Sequence, residues 1–188
     1  MKEIEIKAHL RSEEQVLDKL KGLGCRLSEP VKQVDTVYTR FPAKNVEEYM
    51  ANDHFVRIRE RDDGKCIFTV KKPLSREVLT KAEHETEISD VKELLQALLL
   101  MGYQVATKVI KTRRTTHYND FEICLDEVEG MGTFIEVEKV SDRDADEVRN
   151  ELNKFMELLG IPAEDQVHKG YDILAIENQQ QTKFHRVT

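Results

Sequence analysis

Glu3, Glu5 and Lys7 stand at every second position near the start of the chain. In an extended strand side chains alternate faces, so these three share one side while Ile4, Ile6 and Ala8 share the other. Two carboxylates and an ammonium in one row can hold a cation and a phosphate together. The same alternation recurs along the sequence. Arg57 and Arg59 alternate with Val56 and Ile58; Lys71 shares a side with Thr69, opposite Phe68 and Val70; Glu83, Glu85 and Glu87 line one side of their segment. Lys111 and Arg113 are opposed by Ile110, Glu122 and Asp126 by Phe121, Ile123 and Leu125, and Glu136 and Glu138 by Ile135 and Val137.

A strand with one dry and one wet face is common, but wet faces usually mix Ser, Thr, Asn and Lys. Here like charges stand two residues apart within single strands, and they repel unless an opposite charge lies between them. Carboxylate oxygens suit Mg²⁺ or Mn²⁺, while Arg forks and Lys point charges suit phosphate. The plain alternative is cross-strand pairing that merely holds a sheet together, above all Arg57 with a glutamate from Glu83 to Glu87. Glu60 and Arg61, beside a turn, read as solvated, and Tyr38 is either a packed strand aromatic or a group at the mouth of a binding channel.

These residues need strands to carry them. Met1 to Ala8, Gln33 to Tyr38, His54 to Arg61, Lys65 to Lys72, Lys81 to Ile88, Thr107 to Tyr118, Phe121 to Val128 and Gly132 to Val140 read as strands, several joined by Gly, Asn or Asp turns. A capping box at Ser12-Glu13-Glu14-Gln15 opens a helix from Glu13 to Leu23. Further helices follow Ser89-Asp90 up to Gly102 and run from about Asp144 to Leu159, with a shorter one near Tyr171 to Glu177. Phe41 to Asp53 reads as a loop with a short turn, and Asn178 to Thr188 as a loose polar tail. The expected fold class is α+β: an eight-stranded antiparallel β-barrel, its charged side inward and its helices packed on the apolar outside. With no composition break, residues 1–177 are expected to form one domain and 178–188 the tail.

The net charge of −7 excludes a general nucleic-acid surface, which needs many cations to neutralise many phosphates. It leaves room for one small polyphosphate held by a local cluster. No run is long and apolar enough to span a bilayer, and a charged strand follows Met1, so a soluble cytoplasmic protein with no membrane partner is expected. Cys25, Cys66 and Cys124 lack metal-ligand spacing and read as reduced structural thiols, Cys124 as a small filler. His9, His54, His84, His117, His168 and His185 are scattered and read as surface or structural. No loop has EF-hand spacing.

The opening Glu3-x-Glu5-x-Lys7 resembles the signature of the CYTH family, the triphosphate tunnel metalloenzymes, which include class IV adenylyl cyclases and thiamine triphosphatases. Further similar motifs follow in family order: Asp35-Thr36-Val37-Tyr38, Arg57-Ile58-Arg59, Phe68-Thr69-Val70-Lys71, Glu85-x-Glu87, Lys111-x-Arg113, and Asp126 through Gly132 leading to Glu136-x-Glu138. Tyr171-Asp172-Ile173-Leu174 resembles the family's closing helix, so the resemblance spans about residues 1–176. It implies an eight-stranded tunnel that binds a triphosphate and needs Mg²⁺ or Mn²⁺. Carried over by motif, Lys7, Arg57, Arg59, Lys71, Lys111 and Arg113 would grip phosphate, and Glu3, Glu5, Glu136 and Glu138 would hold metal. Glu3, Glu5 and Glu136 would then be the catalytic carboxylates, with Asp126, Glu85 and Glu87 as additional metal or water ligands.

Two reactions fit such a tunnel. A cyclase directs the 3′-oxygen of ATP at the α-phosphorus and releases pyrophosphate; a triphosphatase directs water at the terminal phosphorus of thiamine triphosphate, tripolyphosphate or a nucleotide. The Gly130-Met131-Gly132 turn with Phe134, the short length and the Tyr171 segment resemble the cyclase branch more. The Glu83 to Glu87 row resembles hydrolytic members too. A noncatalytic polyphosphate binder is the third reading, and a homodimer is compatible with all three.

Overall fold

Strand alternation and capped amphipathic helices build the chain, which divides into two compact units. The computed structural model describes residues 2–41, 45–52, 54–73 and 81–184. Met1 of the first expected strand, positions 42–44 and 53 of the expected loop, and His185 with the last residues of the expected tail lie outside the described residues. Among the described residues eight antiparallel strands, β1 (Lys2–His9), β2 (Val31–Thr39), β3 (Phe55–Arg61), β4 (Cys66–Pro73), β5 (Lys81–Glu87), β6 (Gln104–Tyr118), β7 (Phe121–Val128) and β8 (Gly132–Ser141), hydrogen-bond in the order β1-β8-β7-β6-β2-β3-β4-β5. One unit comprises residues 1–31 and 111–168, the other 32–110 and 169–188.

In the first unit, β1 (Lys2–His9) pairs with β8 (Gly132–Ser141), β8 with β7 (Phe121–Val128), and β7 with the later half of β6 (Gln104–Tyr118). The strand expected from Thr107 therefore begins three residues earlier. The turn between β6 and β7 has only Asn119 and Asp120 in it, and Asn119 takes φ 53°, a left-handed value that Asn tolerates in tight hairpins. That turn fixes the register, so Arg113 stands opposite Asp126 and His117 opposite Glu122.

The apolar faces of β1, β7 and β8 carry Ile4, Ile6, Ile123, Leu125, Ile135 and Val137 into one core. Two helices cover it. α1 (Glu13–Gly22) is capped by Ser12, which accepts from the Gln15 N–H, and buries Val16 and Leu20. α4 (Ala145–Leu158) is capped by Asp144 and buries Val148, Leu152, Phe155 and Met156 at helical spacing. Leu152 has no exposed surface; emptying such a site costs about 2–5 kcal/mol. A 3-10 turn (Ala163–Asp165) then brings the chain back to β1: Ala8 bridges to Gln166, and Val167 N–H donates to the Lys7 carbonyl at 2.8 Å. Arg11 Nε lies 2.7 Å from Asp165 and fixes that return.

In the second unit, β2 (Val31–Thr39), β3 (Phe55–Arg61), β4 (Cys66–Pro73) and β5 (Lys81–Glu87) pair consecutively. Their apolar face carries Tyr38, Val56, Ile58, Phe68 and Val70, packed against Leu98, Leu94 and Leu95 of α3 (Val91–Leu100). Tyr38, open between two readings in the sequence, is thus a packed core aromatic. Asn45 caps a short α2 (Val46–Met50) by accepting from the Glu48 N–H at 2.8 Å, so part of the expected loop is helical.

Two further helices pack on the other face of this sheet. Val37 and Phe55 share the face of Arg57, and both pack with Tyr49 of α2 and Ile173 and Ile176 of α5 (Tyr171–Phe184). Tyr49 donates its hydroxyl to Asp172, joining the two helices. α5 also continues seven residues beyond Glu177, where a loose tail was expected. Gln is a good helix former even without an apolar stripe, and Gln179 Nε2 donates to Thr107 Oγ1 at 3.1 Å.

Candidate active site

On the charged face of the first unit the strand register assembles two adjoining rows. Glu5 stands opposite Glu138, Glu138 opposite Glu122, and Glu122 opposite His117. One step along, Lys7 stands opposite Glu136, Glu136 opposite Cys124, and Cys124 opposite Thr115. The first row is a line of carboxylates ending in a histidine whose Nε2 lies 3.4 Å from Glu122. Burial of Glu138, then a hydrogen bond with Glu3 and the charges of Glu3, Glu122 and Glu5, push its carboxyl up to about 8.

The second row is compensated. Lys7 Nζ lies 3.1 Å from Glu136, and Arg113 Nη2 donates to the same carboxylate. Burial alone would raise Glu136, but Arg113, Lys111 and Lys7 outweigh it and hold the group far below the usual carboxylate range. Asp126, with no exposed surface, accepts from Lys111 Nζ at 2.9 Å and from Arg113 Nε at 2.7 Å, with Arg113 Nη2 completing a two-point grip. Burial opposes the charge of Arg113; Asp126 and Glu136 override it and raise its pKa well above the ordinary value. Cys124 lies on this charged face, and burial pushes its thiol up to about 12.

The second unit carries the remaining cations on β3 and β4. Arg59 Nε and Nη2 donate to the two oxygens of Asp35 at 2.7 and 2.8 Å, and Arg57 Nη1 lies 3.6 Å from the same carboxylate. Arg57 Nη2 also donates to Thr69 Oγ1 and to Glu85 Oε1, each at 3.0 Å, and Thr69 donates to Glu85 at 2.8 Å. The rival cross-strand pairing of Arg57 is therefore present. Lys71 lies 2.7 Å from Glu83, directly opposite it. Glu87 is exposed and stands opposite Ile67. Burial, then neighbouring Arg59, lower the pKa of Arg57, and its Nε has no hydrogen-bond partner among the described residues.

The structure thus brings Glu3, Glu5 and Glu138 together, and separately Lys7, Lys111, Arg113, Asp126 and Glu136, within one unit. Arg57, Arg59, Lys71 and Glu85 line one face of the other. Glu122, Asp35 and Thr69 are the residues that sequence reasoning left without a role. The parity of Glu122 was visible, and counting back from the two-residue turn would have placed it in the carboxylate row. Among the described residues no three Asp, Glu, His or Cys side chains could by themselves hold a metal ion. The carboxylate row offers the hard oxygens that Mg²⁺ or Mn²⁺ takes, and such ions commonly complete their shell with water and substrate phosphate.

The CYTH domain family matches residues 1–171 of the chain. This chain is a CYTH domain protein. Among proteins similar to this CYTH chain is one from Methanocaldococcus jannaschii, 29% identical over 174 residues, which cover 91% of this chain and 97% of the relative; it bears the name "Putative adenylate cyclase MJ0240". Two solved structures from Pyrococcus horikoshii share the CYTH chain's fold. The PH1819 protein has a TM-score of 0.77 and 26% identity, covering 93% of this chain and 98% of its own. The PH1012 protein has a TM-score of 0.77 and 25% identity, covering 93% and 99%. No helix among the described residues is long and apolar enough to cross a membrane.

Proposed function

We propose that the chain is a metal-dependent enzyme acting on a triphosphate, and specifically an adenylyl cyclase that converts ATP to cyclic AMP and pyrophosphate. The observation that carries this is the adjacency of two rows in the first unit. The carboxylates of Glu5, Glu138 and Glu122 stand one strand step, roughly 7 Å, from Glu136 with its Lys7 and Arg113. A hard-oxygen site beside fixed cations suits a metal-bound polyphosphate. The cyclase reading, over a hydrolase, is supported by the name of the Methanocaldococcus relative.

In the first unit Glu3, Glu5, Glu136 and Glu138, with Asp126 as a further candidate, would supply carboxylate oxygens to a divalent cation whose shell water and substrate phosphate complete; in the second unit Glu85 and Glu87 are candidates for the same role. Bound there, the ion would supply Lewis-acid polarisation of phosphoryl oxygens. In the first unit Lys7, Lys111 and Arg113 would bind phosphate oxygens and offset charge as the bond to the leaving group breaks; in the second unit Arg57, Arg59 and Lys71 are proposed as phosphate-binding groups. In the cyclisation the 3′-oxygen of ATP attacks the α-phosphorus, the bond to the bridging oxygen of the β-phosphate breaks, and pyrophosphate departs while the 3′-hydroxyl proton is released.

The test offers purified protein ATP, tripolyphosphate and thiamine triphosphate with Mg²⁺ or Mn²⁺ and resolves the products. Cyclic AMP with pyrophosphate is expected. Free phosphate without cyclic AMP would reject the cyclase in favour of a triphosphatase. Replacing Glu3 and Glu5 with Gln should lower turnover by orders of magnitude, whereas a noncatalytic module would have no turnover to lose.

A further inference from the structure

Two cation pairs in this chain are built alike, one in each unit. Asp35 stands directly across β2–β3 from Arg59, takes its Nε and Nη2 on two oxygens, and also faces Arg57, two residues before Arg59. Asp126 stands directly across β6–β7 from Arg113, takes its Nε and Nη2, and also accepts from Lys111, two residues before Arg113. In both places a buried aspartate opposes the Arg of a cation-x-Arg pair and reaches the preceding cation as well.

The construction solves a physical problem. Two long cationic side chains on one strand face repel and have many rotamers, so without a partner they would splay apart. A bidentate carboxylate fixes the guanidinium plane and the distance between the pair. Thr69, fully buried, completes the arrangement around Arg57 by tying its Nη2 and Glu85 to one hydroxyl.

We propose that Asp35 is a positioning residue for anion binding, holding Arg57 and Arg59 as a preformed pair for neighbouring phosphate oxygens. This rests on the reading that the chain binds a triphosphate. The role differs from charge balance and from sheet stabilisation in the sign of its consequences. Removing a negative charge beside two guanidinium groups would, by Coulomb attraction alone, tighten anion binding. Loss of orientation would loosen it.

The experiment measures tripolyphosphate binding calorimetrically in the presence of a metal chelator, with melting temperature recorded for each protein. Asp35→Asn should weaken binding about tenfold, the equivalent of one well-placed charged contact. Asp35→Glu keeps the charge but moves the carboxylate by one methylene, and should also weaken binding. It serves as the second variant if Asp35→Asn fails to fold. Unchanged or tighter binding by Asp35→Asn, or unchanged binding by Asp35→Glu, overturns the proposal, even where the melting temperature falls. The same comparison is made with Mg²⁺ added if binding needs metal; if the wild-type protein binds tripolyphosphate in neither condition, the triphosphate reading itself fails and the proposal falls with it.

Discussion

Glu138 faces Glu5 directly across the β1–β8 pair, two carboxylates in one cross-strand position, with Glu122 on its other side. Burial and the neighbouring carboxylates push Glu138 up to about 8, so the folded protein holds a proton there that the unfolded chain has released by neutral pH. Stability without metal therefore falls as pH rises from the ordinary carboxylate value toward 8. The expected outcome is a melting temperature that drops between pH 5.5 and 8 in chelator and recovers on adding Mg²⁺ or Mn²⁺ at pH 8. Glu138→Gln should flatten the pH dependence; a wild-type profile flat across that window would refute it.

Asp126→Ala should destabilise the protein by about 3–5 kcal/mol, because buried Lys111 and half-buried Arg113 would lose their shared counter-charge. Urea denaturation followed by circular dichroism measures the change. Replacing the exposed Glu129 in the same way should shift stability by less than about 0.5 kcal/mol.

Cys124 should resist alkylation at pH 8 in the native protein and react once unfolded, since burial keeps its thiol protonated. Mass spectrometry after a timed iodoacetamide pulse reads each cysteine separately. Prompt native labelling of Cys124 would contradict its buried place on the charged face.

Tyr49→Phe removes the hydroxyl that Tyr49 gives to Asp172 and should cost about 1.5–3 kcal/mol, the range for a hydrogen bond to a charged group. A urea midpoint equal to that of the wild type would show that the α2–α5 bond adds nothing.

Much of this arrangement was legible in the sequence because strand parity needs only a count of two. That count placed Glu3, Glu5 and Lys7 on one side and predicted the apolar partners that pack under α1 and α4. Short turns would have extended it further, to the row joining Glu138 with Glu122 and His117. The role of Asp35 was not legible, because α2 lies between β2 and β3 and no two-residue turn sets their register. The length of α5 was hidden for a different reason: its later residues are polar and show no apolar period, so only backbone propensity carries the helix on. Which reaction follows was equally out of reach, because cyclase and hydrolase share the same grip on phosphate.

The return of Gln166 and Val167 to the backbone of Lys7 and Ala8 has a consequence for behaviour in concentrated solution. A strand with open amides is a template onto which another molecule can add, the route to intermolecular β-stacking and fibres. By occupying the Lys7 carbonyl and bridging Ala8, this short return keeps part of the first strand from recruiting a second polypeptide, and protects the very residues on which phosphate binding is proposed to depend.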